Sequence, residues 1–343
     1  MSEAPTFWFK GKGLPALLLA PAAWVYGSVS GRRMVRPAAY VSRLPVICVG
    51  NLIAGGAGKT PTALALAELA QGLGYRPGFL SRGHGGSLSK ATRVDRDHHN
   101  ARDTGDEPLL LAARAPTVVS ADRVAGVRLL EETGVDLVIM DDGFQNPALQ
   151  KDFSLVVVDS SRGIGNAMVH PAGPLRAPLK VQLQRASALL VIGDGKGASQ
   201  VIRAAAKMAK PIVMANLTVP EPARWRGVKV LAYCGIGDPQ KFYHSLHAVG
   251  AKVLEERSFG DHHVYSDSDC NELIERAGAL NAALTTTAKD KARLARMGER
   301  QMALHEASHA LPVRLAFENR AMAETVIRDA AKNAERRRLS QKA

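Results

Sequence analysis

Apolar positions along the chain fall into short continuous runs separated by glycine-rich or polar turns. "LPVICVGN", Leu44 to Asn51, is apolar, rich in β-branched residues and ends in glycine-rich sequence, the pattern of a strand buried on both faces. "TPTALALAELAQGLG", from Thr60, reads as an alanine- and leucine-rich helix closed by Gly72 and Gly74. Strand patterns recur in "RPGFLSRG", "PTVVSADR", "VDLVIMDDG", "FSLVVVDSS" and "ALLVIGDG", with helical segments between several of them, as at Arg123 to Thr133. Alternating strands and helices predict an α/β fold: a parallel sheet with helices on both faces.

Around Val219 the stretch "VPEPARWRG" breaks the rhythm with two prolines. The pattern restarts in "KVLAYCGIGDPQKFYHSLHAVG", and "AKVLEERSF", "AALTTTAKD" and "LPVRLAF" supply further strands. The expected division is an N-terminal segment over 1–43, a main domain over 44–220, a smaller α/β domain over 221–330 that closes over the site, and a basic tail over 331–343.

The N-terminal segment carries its own signal. "LPALLLAPAAWVYG", Leu14 to Gly27, is almost wholly apolar and follows "FWF" at Phe7 to Phe9. A spanning helix needs about 20 apolar residues; this run is shorter and is interrupted by Pro15 and Pro21. A signal peptide and a buried helix packed on the main domain are the alternatives, the buried helix the plainer of the two. Lys10, Lys12, Arg32, Arg33, Arg36 and Arg43 flank the run, so it is expected to lie in the headgroup layer of an anionic membrane.

With 343 residues, 46% of them hydrophobic, the chain is long enough for two folded domains and is not generally disordered. Three cysteines without metal or pairing spacing imply free thiols in a reducing compartment. The formal charge of +13 suits a polyanionic substrate, anionic lipid or nucleic acid. No aromatic-interleaved basic motif or zinc spacing accompanies it, so no nucleic-acid partner is expected, and no obligate protein partner is evident.

Candidate chemistry begins in "GNLIAGGAGKTPT". Gly55, Gly56, Ala57 and Gly58 can present successive backbone N–H groups to phosphate oxygens, and the helix that follows adds its positive end. Lys59 would reach the outer phosphates of a nucleotide, and Thr60 would offer a hydroxyl to Mg²⁺; Pro61 completes the loop. The strict pattern wants a glycine where Ile53 stands, and variant loops that lack it carry a lysine where Ala54 stands. Asp141 and Asp142 end a strand at the ligand-binding edge of the sheet, with Gly143 permitting a bend that lets both serve Mg²⁺ and phosphate. Asp106 and Glu107 precede a helix, and "GDHHVYSD" places Asp261, His262 and His263 together, a histidine able to pair with a carboxylate. Arg82, Arg123 and Arg176 sit beside rigid backbone suited to bidentate phosphate capture. Lys289 and Asp290 in "TTTAKD" are similar in kind.

In this order, "VGNLIAGGAGKTPT", "LSRGHGG", "TGDEPLLLA", "VSADR", "DDGFQN", "HPAGPLRAP", "YCGIGDPQKF", "FGDHHVY" and "TTTAKD" resemble the tetraacyldisaccharide 4′-kinase family of the lipid A pathway. The resemblance implies a P-loop NTPase-like domain, a second α/β domain, and ATP with Mg²⁺ as cofactors. It further implies transfer of the γ-phosphoryl group to the 4′-hydroxyl of a lipid-linked disaccharide 1-phosphate, at the cytoplasmic face of the bacterial inner membrane. By the same resemblance Asp106 is the general base, His262 its partner, and Lys59 and Asp142 complete the catalytic set. Asn51, Arg82, Glu107, Arg123, Gln145 and Arg176 are then substrate contacts. His84, Asn146, Ala177 and Ala288 depart from the usual family wording, which bears on substrate contacts and on Lys289. A partition or targeting ATPase or GTPase, which would use the loop as a switch on membranes or nucleic acid, and a metal phosphoesterase built on the two Asp-His-His triplets are the competing readings.

Overall fold

The computed structural model describes residues 5–11 and 13–340, so Lys12 and residues 341–343 of the expected tail lie outside the described residues. Strand β1 (Val46–Asn51) is buried throughout and occupies the middle of the larger sheet. The other strands of the first unit are β2 (Pro77–Ser81), β3 (Thr92–Arg93), β4 (Thr117–Val119), β5 (Leu137–Asp141), β6 (Phe153–Asp159), β7 (Ala188–Ile192) and β8 (Ile212–Thr218). The second unit supplies β9 (Lys229–Cys234), β10 (Lys252–Ser258), β11 (Ala283–Thr287) and β12 (Ser308–Leu311), and β13 (Arg314–Phe317) follows.

Among the described residues the larger sheet runs β13-β8-β7-β6-β1-β5-β2-β4-β3, parallel except at its two edges. Helices cover both faces, and the alternation along β1 shows it. Val46 and Cys48 join one apolar core, Ile47 and Val49 the other. Strand order reverses around β1, which leaves a crevice beyond its carboxyl end. The smaller sheet, β10-β9-β11-β12, is all parallel. Along β9 the same division recurs, with Val230, Ala232 and Cys234 on one side and Leu231 and Tyr233 on the other.

The expected span 221–330 for the second domain is corrected at its C-terminal end. "LPVRLAF" is split: Leu311 closes β12, whereas β13 returns to pair antiparallel with β8. The helix Arg320–Ser340 then packs Ala323, Val326, Ile327 and Ala330 into the core of the first unit, one apolar stripe at helical spacing. Nor is the stretch from 331 a free tail. Arg337 holds Asp152 through a forked pair at 2.9 and 3.1 Å and donates to Ser42 O at 3.0 Å. The expected strand runs do not include β3, β8 and β12; β8 ends in exposed positions and β3 has only two residues.

The N-terminal segment forms two helices, Leu14–Leu18 and Ala20–Met34, meeting at Leu19 just before Pro21. One side is buried: Ala16, Ala23, Gly27, Gly31 and Met34 face the domain. At Gly31 the helix packs directly on Pro178, whose Cδ would stand 3.4 Å from a Cβ there. The other side leaves Leu14, Leu17, Leu18, Trp24, Val25 and Val29 exposed.

Candidate active site

β1 delivers the chain directly into the glycine loop. Gly55 and Gly58 adopt φ of 107° and 86°, a region that L side chains rarely enter. At Gly58 a Cβ would also stand 2.6 Å from Ile192 Cδ1, whereas Gly55 and Gly56 open onto empty space. That opening is what a close approach of phosphate to backbone requires. Ala57 is buried beneath the loop, and the helix Lys59–Gly72 begins immediately after it, with Pro61 in its first turn. Asn51, expected at the substrate, is fully buried and braces the loop by donating to Gly55 O at 2.9 Å; among the described residues its Oδ1 has no partner.

The two aspartates at the end of β5 take different roles. Asp141 is buried, with Oδ2 accepting from Thr60 Oγ1 at 3.5 Å and Oδ1 unpartnered among the described residues. Burial pushes its carboxyl up to about 7, with Lys59 opposing and Asp142 reinforcing. Asp142 turns toward the loop because it occupies the left-handed region itself, at φ 52°. The bend expected at Gly143 is thus made one residue earlier, and Gly143 instead makes room for the Met140 side chain, 2.5 Å from its missing Cβ.

Arg176 grips Asp142 through Nη1–Oδ1 at 2.8 Å and Nη2–Oδ2 at 3.4 Å, and Lys59 Nζ stands 3.8 Å from the same Oδ1. Burial alone would raise the Asp142 carboxyl, but Lys59 and Arg176 outweigh it and hold the group below its ordinary value. For Lys59, burial lowers the ammonium below its ordinary value against the pull of Asp142. Arg176 Nε also donates to Ile53 O at 2.9 Å, so the residue that replaces the usual loop glycine serves as an anchor for the arginine. Gln145 donates to Asn51 O at 2.7 Å and to Gln182 Oε1 at 3.0 Å. Arg123 is buried and donates to Ser120 O at 2.5 Å and to Asp142 O at 3.4 Å, supporting the aspartate turn from behind. Arg82 is exposed.

Asp106 begins the helix Asp106–Ala112, which packs against the Lys59–Gly72 helix. Although it belongs to the first unit, its partners come from the second. Arg293 Nη2 donates to Asp106 Oδ2 at 2.5 Å, and His262 Nδ1 lies 3.5 Å from the same oxygen. Beside it Lys289 Nζ donates to Glu107 Oε1 at 2.7 Å. Burial would raise the Asp106 carboxyl; His262, Lys289 and Arg293 together overcome that and hold it well below the carboxylate range. His262 is raised, chiefly by its hydrogen bond to Asp106, with burial opposing. The His262 ring also meets His84 edge-on at 5.8 Å, so a residue that departs from the family wording contacts the proposed pair.

His263 turns away to Asp269 at 3.0 Å, and His98 pairs with Asp95 at 2.8 Å on an exposed loop. His247 meets Glu256 at 3.4 Å on the surface. Sequence reasoning missed Arg293 and Gln182. The Asp290–Arg293 spacing of three on a helix is the signal that marks an ion pair, and that pair forms at 2.8 Å. Nothing local marks Gln182, whose partners Leu52, Ala177 and Gln145 come from other parts of the chain or from the preceding turn.

A family model described as Tetraacyldisaccharide-1-P 4'-kinase matches residues 15–332. The Tetraacyldisaccharide 4'-kinase of Rhizobium meliloti is 46% identical over 342 residues, covering 100% of this chain and 99% of the relative. That of Allorhizobium ampelinum is 52% identical over 292 residues, 85% of each. The crystal structure of LpxK from Aquifex aeolicus in complex with ATP is similar at a TM-score of 0.69 and 26% identity, covering 92% of this chain and 99% of that one. With the phosphate loop, the aspartate turn and the fold in agreement, the chain belongs to the tetraacyldisaccharide-1-P 4′-kinase family.

Proposed function

We propose that the protein transfers the γ-phosphoryl group of ATP to the 4′-hydroxyl of a tetraacyldisaccharide 1-phosphate, the product being lipid IVA in lipid A biosynthesis. One observation carries the acceptor half of this reading. A buried carboxylate, Asp106, next to the phosphate-loop helix is met across the two units by His262. A switch ATPase has no need of such a pair, whereas a hydroxyl acceptor must be held and relieved of a proton.

The glycine loop and Lys59 would hold the phosphates of ATP, with Arg176 and Asp142 fixing the lysine's neighbourhood. Thr60 and Asp141 fit a magnesium ion: both are oxygen donors, and Asp141 keeps one buried oxygen without a partner among the described residues. When bound there, Mg²⁺ offsets negative charge on the phosphate oxygens. Among the described residues no group of three or more His, Cys, Asp and Glu side chains forms a metal cage. A site shared between one or two carboxylates and substrate phosphates needs none. Asp106 would orient the sugar hydroxyl, with Glu107 and its partner Lys289 beside it, and the exposed Arg82 would meet a polyanionic acceptor.

The exposed apolar side of the N-terminal helices, with Trp24 75% and Leu18 72% exposed, would rest on an anionic membrane surface beside Arg32, Arg33 and Arg36. Among the described residues no helix is long and apolar enough to cross a membrane. We place the protein at the cytoplasmic face of the inner membrane, where ATP and a lipid-borne acceptor meet. The deciding assay supplies purified protein with Mg-ATP and the detergent-dispersed disaccharide 1-phosphate, then maps the new phosphate. Phosphate on the 4′ position is the expected result; ATP turnover that ignores the acceptor would refute the reading.

A further inference from the structure

We propose that Arg293 is a positioning residue for the transfer step: from the second unit it grips Asp106 Oδ2 and leaves Oδ1 as the oxygen that meets the acceptor hydroxyl. This inference rests on the kinase reading above. The guanidinium is itself immobilised. Its Nη1 donates to Gly235 O at 3.0 Å and to Asp290 Oδ1 at 2.8 Å, while Nη2 reaches Asp106 Oδ2 at 2.5 Å. Asp290 is fully buried and accepts from Gly235 N at 2.9 Å, Tyr265 Oη at 2.8 Å and Thr287 Oγ1 at 2.6 Å. A cation pinned this way cannot swing without breaking a buried network, so it fixes where the Asp106 carboxylate points.

The two oxygens of Asp106 are then unequal. Oδ2 carries the Arg293 hydrogen bond at 2.5 Å and has His262 Nδ1 3.5 Å away. Among the described residues Oδ1 accepts from the Glu107 N–H alone, at 3.0 Å, which leaves it lone-pair capacity for a hydroxyl. In the transfer, an acceptor oxygen lone pair forms the new P–O bond and the bond to the departing ADP oxygen breaks with its electron pair. The hydroxyl proton passes to Asp106 Oδ1. The charged groups acting on Asp106 are His262 from one loop and Lys289 and Arg293 from the Ala288–Leu294 helix; Asp261 and Glu107 act on His262, and Asp290 pairs with Arg293. Lys289 is engaged by Glu107, which leaves Arg293 as the cation hydrogen-bonded to Asp106 itself.

The test compares full-length Arg293→Met and Arg293→Lys with the unmodified chain, using Mg-ATP and the dispersed disaccharide 1-phosphate across a pH series. For Arg293→Met, kcat falls roughly 10²-fold or more, and KM for ATP stays within about twofold because ground-state nucleotide binding is untouched. The acid limb of its kcat profile moves up by roughly 1–3 pH units, since an opposite charge beside an Asp lowers its pKa by that much. Arg293→Lys recovers part of both. If Arg293→Met does not fold, Arg293→Gln keeps hydrogen-bond donors without the charge and must show the same upward limb. Loss of kcat with the acid limb in place, or unchanged turnover, overturns the role of Arg293 alone. An unmodified chain that phosphorylates no disaccharide overturns the kinase reading as well.

Discussion

Arg176 and Asp142 form a forked ion pair, with Nη1 2.8 Å from Oδ1 and Nη2 3.4 Å from Oδ2, and Lys59 Nζ lies 3.8 Å from the same Oδ1. Two cations on one carboxylate give a preset arrangement into which nucleotide phosphates can enter without large reorganisation. Replacing Arg176 with Met is expected to lower kcat by about 10²–10³-fold, the scale for losing one preorganised electrostatic group. Stability should change by less than about 1 kcal/mol, because the Asp142 side chain is 38% exposed and solvent screens the pair. Steady-state kinetics beside a thermal melt checks both. Near-normal turnover would remove Arg176 from the site.

Gly58 is the steric hinge of the loop. Its φ of 86° and the 2.6 Å approach of Ile192 Cδ1 to a Cβ there exclude a side chain on two counts. Gly58→Ala is expected to cost about 1–2 kcal/mol from the left-handed conformation alone, read as a lower urea midpoint, and to abolish ATP binding by calorimetry. Gly56→Ala, at a position with open space, is the control for stability.

The His262–Asp106 contact predicts a pH window. His262 is raised, so its stabilising contribution is complete below the ordinary value of about 6.5 and fades as pH rises through the raised value. Asp106 is lowered, so its contribution is complete above about 3.9 and fades as pH falls through the lowered value. The pair is at full strength between roughly pH 4 and 6.5. An NMR titration of the His262 ring should give a midpoint above the ordinary value in the unmodified protein and a lower one in Asp106→Asn. An identical midpoint in both proteins contradicts the pairing.

The N-terminal helices give a surface prediction. Trp24 and Leu18 point outward at 75% and 72% exposure, so Trp24→Ser with Leu18→Ser leaves the folded core untouched. Each loss of a large apolar side chain from the lipid removes roughly 1.5–3 kcal/mol. Co-sedimentation with anionic vesicles should fall at least about tenfold, while turnover on detergent-dispersed acceptor persists. Equal vesicle binding by both proteins would show that this side does not meet lipid.

The phosphate loop, the aspartate turn and most of the sheet were legible in the sequence because their chemistry is local. A strand buried on both faces must be apolar throughout, and a phosphate cradle needs Gly55, Gly56 and Gly58 ahead of Lys59, all within a few residues. Side-chain identity and backbone conformation there answer to the same neighbours. The fate of residues 314–340 was not legible. β13 and the last helix carry ordinary strand and helix patterns, and the choice between two apolar cores depends on which surface remains uncovered. Asn51 and Arg123 read as polar residues for a ligand, and each also holds a backbone carbonyl that no local pattern marks. The meeting of Asp106 with Arg293 joins positions 187 residues apart. No periodicity or spacing encodes a contact between two separately folded units. Only the packing of the Ala288–Leu294 helix against the Asp106–Ala112 helix decides which cation reaches which carboxylate, because ion-pair geometry is fixed by distances that local sequence does not set.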